Sequence, residues 1–414
     1  MSRAATRPAP TAASAPPARA QSALGQWDSA VTSYYVLAGS TALLLVLGLV
    51  MVLSSSSIDA LAAGKSPYTE FLDQAKFALV GLPVLLLLAR IQPARLRVFA
   101  WPLLGAAILF QGLVFTPLGC GEGGNRNWVC LPGVSAQPSE VIKLALAVWL
   151  AAVLARKLPL LGQWKHALVP ALPVAAFAVF VVLLGHDLGT ALVLILLVFG
   201  ALWVAGVKFR FFAVPVAAAA AVAAPLALLN ANRVQRISDW LSGNADPLEG
   251  GYQSRHGMWA LATGGWGGLG LGQSREKWSY LPAAHNDFVF AIIGEELGLI
   301  GTLLVLALFG LMAFAMVRVI RRHTDPFVKI ATGAICCWVV GQALVNIAVV
   351  IGVLPVIGVP LPLVSAGGSA LIMTMAALGV VISFARSEPG AAEALAARPS
   401  ALRRSLAVLG RARG

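Results

Sequence analysis

Residues 167–207 read ALVPALPVAAFAVFVVLLGHDLGTALVLILLVFGALWVAGV, an apolar run broken at Gly185-His186-Asp187-Leu188-Gly189-Thr190. Crossing the hydrocarbon core of a bilayer takes about 20 mainly apolar residues, because an unpaired backbone amide in lipid costs several kcal/mol. The run is therefore long enough for two crossings. Asp187 and Gly189 can reverse the chain between them, and Asp187 caps the second helix. His186 beside it is weak evidence for a metal or a pH sensor. One stretch thus sets the expectation for the whole chain, an all-α integral membrane protein.

Scanning outward gives about ten such spans, at 34–53, 74–91, 98–117, 138–155, 167–185, 188–207, 211–230, 288–317, 330–354 and 361–385. The second and fourth are the least apolar, being short or carrying charge. Composition agrees. Of the 414 residues, 59% are hydrophobic and 11% charged, whereas soluble domains carry roughly a quarter charged residues. The formal charge of +13 does not indicate a nucleic-acid partner, because the basic residues follow the connections. With the N-terminus inside, most of the 30 Lys and Arg fall on one side, in every second connection, as the positive-inside rule requires. Basicity here records topology and adhesion to anionic membrane lipid.

Residues 1–33, rich in Ala, Pro and Ser, read as a disordered cytoplasmic arm, and 387–414 as a basic cytoplasmic tail. Tyr34 to Leu53 is longer than a signal-peptide core, so an uncleaved first helix is expected despite Ala60-Leu61-Ala62. Cys336 and Cys337 are adjacent in an apolar span and read as packing residues. Cys120 and Cys130 flank an outer loop, where a disulfide and two free thiols stand as even alternatives.

Ionisable groups at membrane depth are expensive and commonly functional, and here they gather in clusters on the outer side. The first holds Arg126, then Gln137-Pro138-Ser139-Glu140 and Lys143. Pro138 suits a first helical turn, and Glu140 and Lys143 share a face at i and i+3. They read either as a mutually neutralising pair or as the lining of an outward cavity. The second is the Asp187 turn. The third is a long loop, 231–286, with Arg233, Arg255, His256 and Lys277 among interfacial aromatics. Its glycine-dense stretch, 263–272, lacks a P-loop ending and reads as tight turns and close backbone packing. Asn286 or Asp287 then caps the eighth helix, or else Asp287 serves as a base at the mouth of the bundle. Glu295 and Glu296, two turns deeper, need partners or water; a packing lock suits them.

Taken together, Ser54-Ser55-Ser56-Ser57, Gln137-Pro138-Ser139-Glu140, Asp187-Leu188-Gly189-Thr190, Gly251-Tyr252-Gln253 and Gly264-Gly265-Trp266 resemble the SEDS family of cell-wall proteins (shape, elongation, division and sporulation). His285…Asp287-Phe288, Gly294-Glu295-Glu296-Leu297-Gly298 and Gly358…Pro360-Leu361-Pro362…Ser365 extend the likeness over 34–386, closer to the division branch than to the elongation branch. The resemblance implies a peptidoglycan glycosyltransferase that polymerises lipid II at the outer face of the bacterial plasma membrane, at the division septum. It implies a class B penicillin-binding protein and other division proteins as partners. The family's essential acid falls on Asp287, and its cavity pair on Glu140 and Lys143. Departures are Ala283, Ala366 and Asn127, the last separating Arg126 from Trp128. For the chemistry, Asp287 would deprotonate the acceptor hydroxyl. Lys143, Arg126, Arg233, Arg255 and Lys277 would meet the pyrophosphate, with a divalent cation, Mg or Mn, as the one cofactor in view and Asp287 as a candidate ligand. A single displacement would invert the anomeric carbon, with no organic cofactor. The rivals are a lipid II flippase and a non-catalytic scaffold of the division machinery.

Overall fold

The computed structural model describes residues 29, 31–121, 125–132, 134–213, 216, 217, 221, 234, 238, 240, 252–278, 280–282 and 284–396. The expected seventh span at 211–230 and Arg233 lie largely or wholly outside these. The described chain is helical: α1 (Thr32–Ala62), α2 (Thr69–Leu88), α3 (Pro93–Val98), α4 (Ala100–Gly112), α5 (Pro138–Arg156), α6 (Trp164–Leu168), α7 (Ala171–Leu184), α8 (Leu188–Val204), α9 (Tyr252–Gly264), α10 (Val289–Arg322), α11 (Pro326–Val350), α12 (Gly368–Arg386) and α13 (Ala391–Ala396). Among the described residues, seven helical segments are long and apolar enough to cross a membrane, and two shorter apolar ones cover Ala100–Phe115 and Leu188–Val204. A small antiparallel sheet, β1 (Gly119–Cys120), β2 (Trp128–Leu131) and β3 (Val134–Ala136), is the one departure from all-α character among the described residues. Its period is too short to register in a hydropathy reading.

The fourth span, uncertain from its charge, is the hub. In Pro138–Arg156, 89% of the residues of its apolar 18-residue stretch are buried, against 22% in Thr69–Leu88. It packs on α4, α7, α8, α11 and α12, so Glu140 and Lys143 sit inside protein rather than lipid. Where α8 crosses α11, added Cβ atoms on Gly200 or Gly333 would lie 2.5 Å from Cys337 Sγ and 2.4 Å from Val204. Small residues let membrane helices approach this closely.

Several boundaries differ from the sequence reading, and one helix is broken. α1 runs nine residues past Leu53, because its serines return their hydroxyls to the backbone: Ser55 to the Met51 carbonyl at 2.7 Å and Ser56 to that of Val52 at 2.6 Å. The last span begins at Gly368, not 361. Pro355, Pro360 and Pro362 withhold amide donors, and Gly358 (φ 77°) and Leu363 (φ 66°) turn the other way, so 351–367 is irregular. Helix α10 is broken at Gly298 (φ 67°). There the Gly-rich turn after α9 pairs with the opened backbone: the Leu269 and Gly270 amides donate to the Glu295 and Glu296 carbonyls, and the Leu299 amide to that of Gly265. A Cβ on Gly264 or Gly298 would meet backbone at 1.9 or 2.4 Å. Close backbone packing is therefore the use of this glycine-dense segment.

Candidate active site

The irregular 351–367 segment, the α7–α8 turn, the start of α5 and the entry to α10 together enclose a cavity of about 890 Å³. Its polar lining carries Glu70, Asp73, Glu140, Asp187 and Asp287, with His186 and His285. Its depth is an apolar groove between α7 and α8, walled by Val179, Leu183, Ile195, Val198, Phe199 and Leu202. Polar and apolar halves thus meet in one space.

Asp287 does not cap α10. The N-cap is Phe288, without a side-chain bond, because residues up to 288 continue in turns. The carboxylate instead stays half-buried at the rim, with Oδ2 3.6 Å from where a Gly358 Cβ would stand. Its backbone is fixed: Asn346, 1% exposed, donates from Nδ2 to the Asp287 carbonyl at 2.7 Å and to the Val359 carbonyl at 2.8 Å. Ser365 Oγ donates to the Asn286 carbonyl at 2.5 Å and receives the Leu361 amide at 2.8 Å. Gln74 closes the ring, donating to the Ser365 carbonyl and accepting the Gly367 amide.

Glu140 and Lys143 form the mutually neutralising pair, and of the two Glu140 alone lines the cavity. Nζ lies 2.7 Å from Glu140 Oε2, with the two side chains 2% and 4% exposed, and Glu140 also lines the cavity. Lys143 further reaches Gln342 Oε1 at 3.4 Å and sits 5.0 Å over the Trp338 ring. Gln342 in turn accepts from Trp338 Nε1 and donates to the Pro360 carbonyl, joining the charge pair to the irregular segment. Asp187 caps α8 as expected, accepting the Thr190 amide at 2.9 Å, and its other oxygen takes Gln137 Nε2 at 2.8 Å.

The remaining expected binding cations are placed elsewhere. Arg126 is exposed and spends its guanidinium on the Thr116 and Gly119 carbonyls, at 2.6 and 3.3 Å. Lys277 is 3% exposed and pairs with Glu296 at 3.1 Å, and Arg255 stands on α9 beside the His256–Glu276 pair (2.6 Å). Among the described residues, no Lys or Arg lines the cavity. Glu295 and Glu296 are the packing lock. Glu296 accepts Ser54 Oγ at 2.7 Å, while Glu295 takes the Ser274 hydroxyl and the Arg275 amide. Asn346, Gln342 and Gln74 were missed in the sequence, and Ser365 was noted there only as part of a motif. Each is a neutral side chain inside an apolar span, and its rarity there was the available signal.

The model of the family FTSW_RODA_SPOVE, described as a cell cycle protein, matches residues 35–389. The chain is 40% identical over 382 residues to the "Probable peptidoglycan glycosyltransferase FtsW" of Mycobacterium tuberculosis, covering 92% of this chain and 73% of that protein. It is 33% identical to the stage V sporulation protein E of Bacillus subtilis over 84% and 95% of the two chains. Among solved structures, one titled "Structural coordination of polymerization and crosslinking by a peptidoglycan synthase complex" matches with TM-score 0.68 and 30% identity, over 84% of this chain and 96% of that one. The rod-shape-determining protein RodA of Thermus thermophilus matches with TM-score 0.63 and 29% identity, over 86% and 97%.

Proposed function

Because this chain belongs to the FtsW, RodA and SpoVE family of cell cycle proteins, we propose that it is a peptidoglycan glycosyltransferase that polymerises lipid II, with Asp287 as general base. The observation that carries the reading is the cavity's two-part character. An acidic mouth over an apolar groove between helices suits a sugar headgroup on a long isoprenoid, and both ends of such a substrate find their own solvent there.

Asp287 takes the proton of the acceptor's 4-hydroxyl, a contribution typically of about 10²–10⁴ in rate. The oxygen attacks the anomeric carbon as its bond to the lipid pyrophosphate breaks, with inversion and no covalent intermediate. Asn346 and Ser365 hold the backbone on which this carboxylate rides. Lys143 acts through Glu140, holding that carboxylate in place at the cavity wall through their 2.7 Å ion pair. Five carboxylates at the mouth leave the pyrophosphate without a protein counter-charge among the described residues. This supports a divalent cation that arrives with the substrate, since Mg²⁺ commonly takes most of its oxygens from phosphate and water. Among the described residues no three His, Cys, Asp or Glu form a cage for one, and no step is routed through it. Partnership with a class B penicillin-binding protein, cytoplasmic termini and a septal location belong to the same reading.

The test is reconstitution of the purified protein with its transpeptidase partner and fluorescent lipid II. Asp287→Asn should abolish glycan polymer on a gel while folding and partner binding persist. Undiminished polymer from that variant would remove the base assignment, and a scaffold would be the surviving role. A flippase needs polar groups through the bilayer, whereas the described walls of the groove between α7 and α8 are apolar.

A further inference from the structure

The wall of the cavity mouth formed by Asn125, Asn127 and Trp128 is held by an unusual set of supports. Cys120 and Cys130 are joined as a disulfide, tying β1 to β2 at the base of this strap, where Cys120 pairs with Trp128 in register. The Arg126 guanidinium ties the same strap to the Thr116 and Gly119 carbonyls, and the Arg126 amide donates to the Gly185 carbonyl at 3.1 Å. Asn127 is 8% exposed, with its side-chain amide nitrogen toward the Gly185 and Arg126 carbonyls, the orientation that sets a donor against acceptors. Gly185 permits this seat, since a Cβ there would lie 2.8 Å from both the Arg126 carbonyl and Asn127. The next residue, His186, adopts φ 64° and lines the cavity, as does Asp187.

We propose that the Cys120–Cys130 disulfide, Arg126 and Asn127 are positioning elements that clamp this strap onto the 185–187 turn and so shape the mouth where the substrate headgroup binds. The inference rests on the reading that a lipid-linked muropeptide occupies this cavity. The strap makes binding, and not the proton transfer at Asp287, depend on an oxidised bond.

The full chain with its partner serves for the test, comparing wild type, the double variant Cys120→Ser/Cys130→Ser and the single variant Asn127→Ala. Kd for fluorescent lipid II is measured on the purified protein, and KM and kcat from polymer formation. Both variants should raise Kd and KM about tenfold, the equivalent of one good hydrogen bond, with kcat within about twofold. Reduction of wild type by a dithiol, which converts the disulfide to two thiols while the reagent closes to its own disulfide, should reproduce the shift, and reoxidation should reverse it. Wild-type Kd and KM in both variants would overturn the proposal, as would losses of kcat that merely follow the amount of folded protein. Wild type that binds lipid II yet makes no polymer defeats the polymerase reading while the Kd comparison still judges the strap. Failure of wild type to bind lipid II defeats both.

Discussion

Replacing Lys143 by Met removes the ammonium from a pair sealed inside the hub helix. Glu140 is 3% exposed and Lys143 2% exposed, and 2.7 Å separates the charges. Met keeps most of the stem's volume, so the change is largely electrostatic. Truncating one partner of a buried ion pair costs about 3–5 kcal/mol, because the survivor's charge is left uncompensated. Loss of the ammonium over Trp338 adds about 1 kcal/mol. The double variant Glu140→Gln/Lys143→Met should recover most of that stability, since no bare charge remains, yet lose polymerisation, because Glu140 also faces the cavity. Membrane proteins commonly unfold irreversibly, so the measure is the temperature at which half the detergent-solubilised protein survives size-exclusion chromatography. The order expected is wild type, then the double variant, with Lys143→Met well below both. A single variant melting with wild type, or a double variant no better than the single, would refute the claim that the pair is structurally coupled.

Asn346→Ala strips the donor from two carbonyls behind Asp287 and should lower kcat about tenfold with little change in KM, read from polymer rates at varied lipid II. Gly298→Ala places a Cβ 2.4 Å from the Gly268 amide nitrogen at a left-handed backbone position and should abolish folded protein in the same chromatographic assay. At the opposite end of the bundle, burial pushes the Glu388 carboxyl above its ordinary 4.5, against the pull of Arg318 and Arg322. The folded end therefore holds a proton that the unfolded chain releases, a contribution present at acid pH and lost as pH rises above 4.5. Glu388→Gln should flatten that part of the thermal-stability profile. His323, lowered from 6.5 by burial, has the opposite sign and should still destabilise as pH falls through the region below 6.5.

Hydropathy alone determined that this chain crosses a membrane repeatedly, because each apolar run must satisfy its backbone within itself. Glu140, Asp187 and Asp287 stood out for the same reason, being costly at membrane depth, and all three line one cavity. What pattern could not decide was which polar group meets which. Asp287 and Glu296 look alike as acids near one helix start, but the turn through 288 keeps the first from capping the helix and leaves it lining the cavity, while Ser54, from the far end of the chain, captures the second. Arg126 reads as a phosphate ligand until the sheet brings the Thr116 and Gly119 carbonyls within reach. Likewise the span expected from 361 starts at Gly368 because three prolines and three left-handed residues, Gly352, Gly358 and Leu363, hold 351–367 open. Solvent preference is a local property of each residue and survives in the sequence. Hydrogen-bond partnership depends on which distant segments share a few ångströms, and packing alone sets that.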